Sequence, residues 1–534
     1  MIEPCRQEAT DLSSQSRGVA IIWLRQCLRL SDNPMLQAAL ELGLKPVFIY
    51  CWSPQEEGDW PPGAASRWWL HHSLQALSDD LKSRGSRLIL RVGDSAQILS
   101  ALIQETAAVA LFADARVEPA ARLQQATLEK VLLQNFGQKL QMQFFWSNVL
   151  SEPGTVLNQQ AEPYQVYSPF WRALAPTVEL LQNAPQAHAL PAVLTSPQAW
   201  PKSDALATLK LLPALGWDAA FGHCWQPGEK GAKASLNNFL QNAMARYSSH
   251  RDFPAEQGTS SLSAHLHFGE ISPRQILHAV VAATTTANTP QYHAGEWIKG
   301  DKAETPRASA IKFIKEIGWR EFAYHLLWHF PNTVHAPLRA AFQQFQWRAD
   351  DHQLACWQAG QTGYPIVDAG MRQLWATGWM HNRVRMIVGS FLVKDLRLHW
   401  LEGARWFWDT LVDADLASNT MGWQWIAGCG ADAAPYFRVF NPWLQSQKFD
   451  SQGDYLRRWL PELTSLAAPM IHEPSKYLAF NNLTTHVATH GSTHKMFPAR
   501  LGAVVSSRYP LPIVDHAVAK AESLDVFKKL KTSG

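Results

Sequence analysis

Residues 357–432 read WQAGQTGYPIVDAGMRQLWATGWMHNRVRMIVGSFLVKDLRLHWLEGARWFWDTLVDADLASNTMGWQWIAGCGAD. Tryptophan, asparagine, aspartate and arginine recur at helical spacing in this stretch, which is otherwise apolar. Burying such polar groups is costly unless each one finds a hydrogen-bonding partner. The concentration of polar groups therefore predicts a lined pocket within a helical domain, and not only a hydrophobic core.

The composition is that of a large globular chain with an unusual content of tryptophan. At 534 residues, 46% of them hydrophobic, the chain is long enough for two or more domains. Its 24 tryptophans suit stacking on planar ligands or bases, although a tryptophan-rich core would use them equally well. The formal net charge of +3 permits a local basic patch for nucleic acid but does not argue for one.

The cysteines and the lengths of the apolar runs argue against several protein classes. The six cysteines form no CxxC pair, so neither a zinc site nor a disulfide framework is predicted, and reduced thiols fit better. No apolar run reaches the length needed to cross a membrane. The sequence predicts a cytoplasmic protein without a metal or a membrane partner, and residues 1–18 are expected to form a flexible tail.

Residues 19–146 alternate short apolar runs with longer amphipathic ones. The apolar runs predict buried strands over Val19–Leu24, Pro46–Tyr50, Arg87–Arg91, Ala108–Phe112 and Gln141–Phe145. The amphipathic runs predict helices over Asn33–Leu44, Ser66–Arg84, Ala96–Thr106 and Ala120–Phe136. This alternation predicts an α/β domain with a doubly wound, Rossmann-like parallel sheet. Because no GxGxxG follows the first strand, we expect no dinucleotide site there.

The rest of the chain divides into a proline-rich segment and a helical one. Residues 147–232 lose periodicity, which predicts a linker that wraps over the surface between two domains. From Lys233 to about Leu460 the pattern is overwhelmingly helical, which predicts an all-α domain over residues 233–525. A short basic helix is predicted at the C-terminus, over Val514–Lys531.

Two helical segments of this domain carry candidate site residues. Glu316 and Arg320 are four residues apart and share a helix face, which is compatible with a surface ion pair. Phe313 and Trp319 flank that face, so a partly buried carboxyl that binds a ligand is the other interpretation. In the second segment, Asn382 and Met386 share a face, and Arg385 lies beside them.

The run DADLASNTMGWQW places Asp415, Asn419 and Trp423 at successive steps of four, with Asp413 about half a turn away. Together with Arg385, these groups suit a ligand ring that carries several N–H and C=O groups. A helix-capping aspartate with satisfied buried polar residues explains the pattern as well. A carboxylate pair for glycoside cleavage is a weaker interpretation.

The loop Gly258–Ser272 offers four hydroxyls just before a helical pattern, namely Thr259, Ser260, Ser261 and Ser263. Hydroxyls and free N–H groups at a helix N-terminus favour anion binding, and a simple N-cap would explain only one of the four. His265 and His267 are two residues apart and cannot share a helix face, so a metal site there is weakly supported.

These segments together resemble the photolyase/cryptochrome family. The motifs occur in the family's order: WLRQCLRLSDNPML (23–36), GTSSLSAHLHFGEISPRQ (258–275), KEIGWREF (315–322), TGYPIVDAGMRQLWATGWMHNR (362–383), DADLASN (413–419), GWQW (422–425) and DAAPYFRVFNPWLQSQKFD (432–450). The resemblance covers essentially residues 19–520. It implies an N-terminal α/β domain that binds an antenna, a long linker, and a helical C-terminal catalytic domain that binds FAD.

The resemblance also implies roles for individual residues. Residues expected to hold FAD or line its pocket are Tyr247, Thr259, Ser260, Leu262, Ser263, Arg320, Asn382, Arg385, Asp413, Asp415 and Asn419. Glu316 would hydrogen-bond the damaged bases, with Asn382 and Met386 close to the pyrimidine dimer. Trp319 and Trp425 would stack on the flipped lesion. The electron relay would comprise Trp423, Trp400 and Trp347, and the DNA phosphates would contact Arg251, Arg383, Arg438 and Lys448.

The implied activity is light-driven repair of cyclobutane pyrimidine dimers in UV-damaged DNA. Asn382 stands where (6-4) photolyases carry a second histidine after His381, so the motif favours cyclobutane dimers. Segment 56–74 looks close to plant cryptochromes and to the bacterial photolyases allied to them. Plant cryptochromes place Asp where Asn419 stands, and an Asn favours the fully reduced flavin that repair needs. Met386 and the lack of a long C-terminal extension favour repair as well.

Some features of the resemblance stay open. The relatives nearest this pattern mostly carry methenyltetrahydrofolate as antenna, but no N-terminal motif identifies it here. Cys27 replaces the usual Asp of the opening motif, so that loop is expected to differ locally. The alternatives are a blue-light receptor that signals through a protein partner, and a flavoprotein without photochemistry. A monomer is expected, while the strandedness of the preferred DNA is left undetermined.

Overall fold

The computed structural model describes residues 18–185, 190–197, 199–214, 216–285, 291–299, 305–433, 437–476 and 509–532. The predicted tail at residues 1–17 lies outside the described residues. Five strands form one parallel sheet: β1 (Val19–Leu24), β2 (Lys45–Trp52), β3 (Leu88–Val92), β4 (Ala108–Asp114) and β5 (Gln141–Phe145). The strand order is β3-β2-β1-β4-β5, so the sheet is doubly wound as predicted.

Four helices cover the two faces of this sheet: α1 (Pro34–Glu41), α2 (Ala64–Ser83), α3 (Ser95–Thr106) and α4 (Pro119–Phe136). Ile22 and Phe48 of the central strands pack on the face that α2 covers, whereas Ile21 and Ile49 pack on the face of α3. Alternate residues of β1 and β2 therefore enter different cores, as buried parallel strands require.

The segment predicted as an irregular linker contains more structure than its sequence suggested. Helix α5 (Tyr167–Asn183) runs through Pro176, and the short helix α6 (Phe221–Cys224) and the start of α7 (Glu229–Asn242) also fall within residues 147–232. Phe170, Leu174 and Val178 of α5 are buried in a core shared with the helical part. Tertiary burial of this face therefore stabilises a helix that local proline content obscures.

Thirteen further helices form the remainder of the described chain: α8 (Tyr247–His250), α9 (Ser263–His267), α10 (Pro273–Thr284), α11 (Ala294–Lys299), α12 (Pro306–His329), α13 (Asp351–Gln358), α14 (Pro365–Thr377), α15 (Asn382–Ser390), α16 (Trp400–Thr410), α17 (Leu416–Ala427), α18 (Pro442–Phe449), α19 (Asp454–Trp459) and α20 (His516–Thr532). A π-helical turn, Phe391–Asp395, extends α15. Helix α12 is the central element, because it packs against α5, α10 and α17.

Buried hydrogen bonds join the α/β part to the helical part. Arg29 donates to the carbonyl of Gly269 at 2.8 Å and to the side chain of Asn148 at 2.9 Å. Trp69 Nε1 donates to Glu270 at 3.0 Å, within a region that is closed to solvent. Such satisfied polar groups fix the relative position of the two parts. No helix among the described residues is long and apolar enough to cross a membrane.

Candidate cofactor and substrate pocket

A cavity of about 610 Å³ opens in the helical part between α12, α15 and α17. This volume lies in the range of pockets that take large cofactors. The predicted site residues that line it are Tyr247, Arg251, Ser260, Leu262, Ser263, Glu316, Trp319, Arg320, Asn382, Arg385, Met386, Asp413, Asp415, Asn419, Trp423 and Trp425. Residues separated by up to 178 positions thus meet around one space.

Helix α12 presents Glu316 and Arg320 to the cavity, but they do not form the ion pair that their spacing allows. Arg320 donates to the carbonyl of Asn148 at 2.6 Å and to the hydroxyl of Tyr324 at 2.7 Å. Glu316 instead accepts a hydrogen bond from Arg251. The i,i+4 ion pair is therefore not formed, because Glu316 pairs with Arg251 and Arg320 donates to Asn148 and Tyr324.

Arg385 and Asp413 form a bidentate ion pair at the cavity wall. Arg385 Nη2 lies 2.8 and 3.1 Å from the two oxygens of Asp413. Its Nε donates to the carbonyl of Met380 at 2.7 Å, which fixes the plane of the guanidinium. The Asp413 side chain is 3% exposed, so the carboxylate depends on this arginine for its charge compensation.

Asp415 is the N-cap of α17, and not a residue of its first turn. Its carboxylate accepts from the N–H of Ser418 at 2.9 Å and from the Tyr324 hydroxyl at 2.8 Å, and His267 lies 3.3 Å away. Although burial acts to raise it, the contact with His267 and the charge of Arg320 hold the pKa of Asp415 well below its usual range. The cavity floor therefore carries a permanent negative charge.

Asn419 lies one turn into α17, where its amide nitrogen donates to the carbonyl of Ala404 at 3.0 Å. This hydrogen bond ties the side chain to α16 and fixes the amide that lines the cavity. An uncharged amide offers both a hydrogen-bond donor and an acceptor, so it can contact a ligand ring nitrogen in either the protonated or the deprotonated form.

Aromatic rings wall the outer part of the cavity. Trp319 stacks on Tyr167 with ring centroids 3.8 Å apart, so its indole is held in a fixed plane. Across the opening, Trp425 Nε1 donates to the carbonyl of Asp432 at 3.2 Å. Two anchored indoles on the rim provide a surface on which a planar base can stack.

The predicted phosphate contacts lie on several elements, and of these four side chains Arg251 alone lines the large cavity. Arg383 and Lys448 lie over the ring of Phe449, at 4.5 and 5.1 Å from its centroid. The carbonyl of Arg438 accepts from Lys394 at 2.8 Å, and burial lowers the pKa of that lysine to about 7. Thr259 is the one predicted cofactor residue that is not part of the lining.

The three tryptophans that are predicted to relay electrons lie in and beside the cavity wall. Trp423 lines it, and its ring lies against the α-carbon of Gly403, one turn beyond Trp400 in α16. Trp400 is buried, and its ring stacks on His399 at 5.7 Å, which in turn lies 5.2 Å from the ring of Trp347. The Trp357 ring also approaches Trp423, at 6.3 Å.

The sequence interpretation missed several lining residues. Leu266, His267, Lys312, Ile317, Phe407, Leu411, Ser418, Met421, Ala431 and Asp432 all face the same cavity. His267 was considered only for a metal, whereas it contacts Asp415. Among the residues that the structure describes, no cluster of histidine, cysteine and acidic side chains has a metal-binding arrangement.

A second cavity, of about 210 Å³, lies where the α/β part meets the helical part. Trp60 approaches Trp408 edge-on at 5.6 Å and stacks on His335 at 6.4 Å. Arg116 lies between Glu57 and Glu118, at 2.7 and 3.2 Å. Within the described part of the chain, the buried Trp60 Nε1 has no hydrogen-bond partner. Rings and carboxylates thus surround a second space that is suited to a planar ligand.

The fold combines a parallel α/β unit with a helical unit that packs against it. The pocket inside the helical unit combines fixed charges, hydroxyls and stacked rings. These features define the class of two-part proteins that bind a large nucleotide-type cofactor. Two family models match this chain: DNA photolyase over residues 20–192, and the FAD binding domain of DNA photolyase over residues 313–529.

Known proteins are similar over nearly the whole chain. The deoxyribodipyrimidine photo-lyase of Agrobacterium fabrum is 43% identical over 96% of this chain and 98% of its own length. Cryptochrome-1 of Arabidopsis thaliana is 35% identical over 95% of this chain and 70% of its own. The solved class III photolyase from Agrobacterium tumefaciens superposes with a TM-score of 0.81 at 41% identity and covers 98% of this chain and all of its own. The chain belongs to the photolyase/cryptochrome family, and its helical part is an FAD-binding domain.

The side chains of the large cavity fit that cofactor. Arginine, serine and backbone donors suit the two phosphates, while Asn382, Asn419 and the Arg385–Asp413 pair offer both donors and acceptors to a ring system. The predicted FAD-binding part is thereby confirmed, whereas the role of each residue stays a prediction.

Proposed function

We propose that this protein repairs cyclobutane pyrimidine dimers in UV-damaged DNA with the energy of blue light. The single observation that carries the proposal is the mouth of the large cavity. There, Glu316, Met386 and the indoles of Trp319 and Trp425 surround an opening that is bordered by Arg251 and leads to the FAD-binding residues. A flipped dimer needs such a site, which combines stacking surfaces with a hydrogen-bonding carboxyl.

The protein's own groups would bind, orient and shield the lesion. Arg251, Arg383, Arg438 and Lys448 would contact the phosphates that flank the flipped nucleotides. Trp319 and Trp425 would stack on the dimer, and Glu316 would hydrogen-bond it; in its protonated form, Glu316 would also stabilise the negative charge that develops on the dimer. The residues that line the large cavity would hold FAD, which in its reduced, light-excited form would supply the one-electron chemistry of ring cleavage, a reaction that is redox-neutral overall.

Purified, reduced protein is expected to restore thymine absorbance in an oligonucleotide that contains a thymine dimer, under blue light and not in darkness. Dark samples and samples without reductant are the controls. If FAD is bound and reduced but the dimer persists under light, the repair function is wrong.

The competing function is blue-light signalling through a protein partner, which the similarity to Cryptochrome-1 of Arabidopsis thaliana supports. The side chain of Asn419 argues for repair, because a neutral amide in the cavity does not disfavour a fully reduced, negatively charged ring. This amide is held by the Ala404 carbonyl and lies in the same cavity as Asp413 and Asp415, which already carry negative charge.

The variant Asn419→Asp is therefore expected to lower the midpoint potential of the bound flavin by about 60 mV, which is a tenfold change in a one-electron equilibrium. Spectroelectrochemical titration measures this shift. Asn419→Ser removes the amide without adding charge and serves as the matched control. An unchanged potential in Asn419→Asp would contradict our argument from this residue.

We further propose that the second cavity binds a methenyltetrahydrofolate antenna. Trp60, Trp408 and His335 offer rings for a pterin, and Glu57 and Glu118 offer acceptors for its amino groups. The orphaned N–H of Trp60 supports a ligand with an acceptor in this space.

Replacing Trp60 with alanine is expected to weaken folate binding about tenfold or more, because a ring stack contributes roughly 1–3 kcal/mol. Titration of the purified protein with methenyltetrahydrofolate, followed by its near-UV absorbance, measures the change. Trp200→Ala, which removes a tryptophan that does not line this cavity, should bind folate normally. Equal binding by Trp60→Ala would place the antenna elsewhere.

A monomeric state and a cytoplasmic location complete the proposal. The absence of a CxxC pair among the six cysteines supports the cytoplasmic location. Size-exclusion chromatography coupled to light scattering tests the monomeric state.

A further inference from the structure

Four charged side chains form a continuous chain of contacts along the cavity mouth. Arg251 Nη1 donates to Glu316 Oε1, and Arg251 Nε lies 3.9 Å from Asp252 Oδ1. The same oxygen of Asp252 lies 2.9 Å from Arg383 Nη2. Arg251 and Arg383, two of the side chains that are proposed to hold DNA phosphates, thus already have carboxylate partners in the free protein.

These contacts are only partly open to solvent, so they are not ordinary surface ion pairs. The side chains of Arg251 and Arg383 are 16% and 19% exposed. Aromatic rings support both guanidinium groups: the Tyr247 ring lies 5.4 Å from that of Arg251, and the Phe449 ring lies 4.5 Å from that of Arg383. Pairs in such an environment are screened less than exposed ones, and breaking them has a measurable cost.

Each side chain of the Arg251–Glu316 pair has a second proposed partner: a DNA phosphate for Arg251 and a flipped base for Glu316. If Arg251 turns to a phosphate, Glu316 is left as a partly buried carboxylate without its counter-charge, which is unfavourable. A flipped pyrimidine removes that cost, because its ring N–H donates to the freed carboxylate. An undamaged duplex offers the phosphate but no flipped base, so the cost remains.

We propose that the Arg251–Glu316 pair is a lesion-dependent lock: Arg251 exchanges Glu316 for a DNA phosphate only when a flipped base takes over Glu316. This proposal rests on the repair function and deepens it. Backbone binding and base flipping become thermodynamically coupled through one side chain, which increases the preference for damaged over undamaged DNA.

Asp252 differs from Glu316 in one respect that makes it a control. It neutralises Arg383 but does not line the cavity, so no flipped base can replace Arg383 as its partner. Removing the charge of Asp252 should therefore release Arg383 for phosphate equally well on damaged and undamaged DNA.

The test compares dissociation constants of wild type, Glu316→Gln and Asp252→Asn for matched oligonucleotides with and without a thymine dimer, in darkness and at several salt concentrations. Glu316→Gln is expected to bind undamaged DNA about tenfold more tightly, with a salt dependence steeper by about one released counterion. Its affinity for dimer-containing DNA should change less, since glutamine still hydrogen-bonds the base, so the preference for damage falls. Asp252→Asn should tighten binding of both DNAs by the same factor.

The double variant Arg251→Gln/Glu316→Gln completes the experiment. In the Arg251→Gln background, the Glu316→Gln substitution should no longer change affinity for undamaged DNA. FAD absorbance and melting temperature establish that each variant is folded. Two results would overturn the lock. The first is an unchanged preference of Glu316→Gln for dimer-containing DNA. The second is an effect of Glu316→Gln on affinity for undamaged DNA that is the same with and without Arg251. A wild-type protein with neither dimer preference nor light-dependent repair overturns the repair function instead.

Discussion

Replacing Trp423 with phenylalanine is expected to abolish light-driven reduction of the bound flavin by external reductants. Of the three tryptophans that are predicted to relay electrons, Trp423 lines the cavity, and its ring lies against α16, where Trp400 lies. A phenyl ring is far harder to oxidise than an indole, so it fills the space without passing on an electron. Absorbance changes of the oxidised protein under blue light, with a thiol present, measure the reduction.

Two controls separate an electron-transfer role of Trp423 from a packing role. The variant should still repair dimers after chemical reduction, because the relay is needed only to reach the reduced state. Trp357→Phe is the matched substitution, since Trp357 is fully buried and its ring also lies near Trp423, at 6.3 Å. If Trp357→Phe blocks photoreduction and Trp423→Phe does not, the assigned relay is wrong.

Local sequence patterns predicted those strands and helices whose formation depends mainly on their own sequence. Strands β1 and β5 have the predicted bounds, Val19–Leu24 and Gln141–Phe145, and the other three strands differ from prediction by one or two residues at one or both ends. Parallel strands buried on both faces leave an apolar run that stands out from amphipathic helices. Helix α5 was missed because Pro176 and the surrounding prolines hide a pattern that only its burial against α12 makes stable.

The polar contacts of the site show the limit of sequence spacing. Helical periodicity brought Glu316 and Arg320 to one face, yet Glu316 pairs with Arg251, 65 positions away in sequence. Arg320 reaches Asn148, 172 positions away. A polar side chain contacts the partner that offers the best geometry and burial. Which partners are within reach depends on how the helices pack, and sequence spacing does not contain that information. The resemblance to known motifs indicated the residues, whereas the structure shows their partners.

The second cavity carries no sequence signal for the same reason. Its lining comes from residues 57–60, 116, 118–120, 334–335, 408 and 416, which no motif connects. Only the docking of the α/β part on the helical part creates this space. A ligand site between two packed units is therefore invisible to any local pattern.

Replacing Asp413 with alanine is expected to lower the free energy of unfolding by about 3 kcal/mol and to cause loss of FAD during purification. The substitution leaves Arg385 without its bidentate partner in a partly buried wall, and breaking one side of such a pair typically costs about 3–5 kcal/mol. Denaturant unfolding of the purified protein and the ratio of flavin to protein absorbance measure the two effects.

A double variant distinguishes the contribution of the Arg385–Asp413 pair to stability from its contribution to cofactor binding. Arg385→Met/Asp413→Leu removes both charges together, so no uncompensated charge remains and much of the lost stability should return. The apolar wall offers neither donors nor acceptors to the flavin ring, so FAD affinity should stay low. Full recovery of FAD binding in the double variant would mean that this pair only supports the fold. Recovery of stability without FAD would mean that the pair belongs to the cofactor site, and that the protein tolerates a buried ion pair because its ligand requires one.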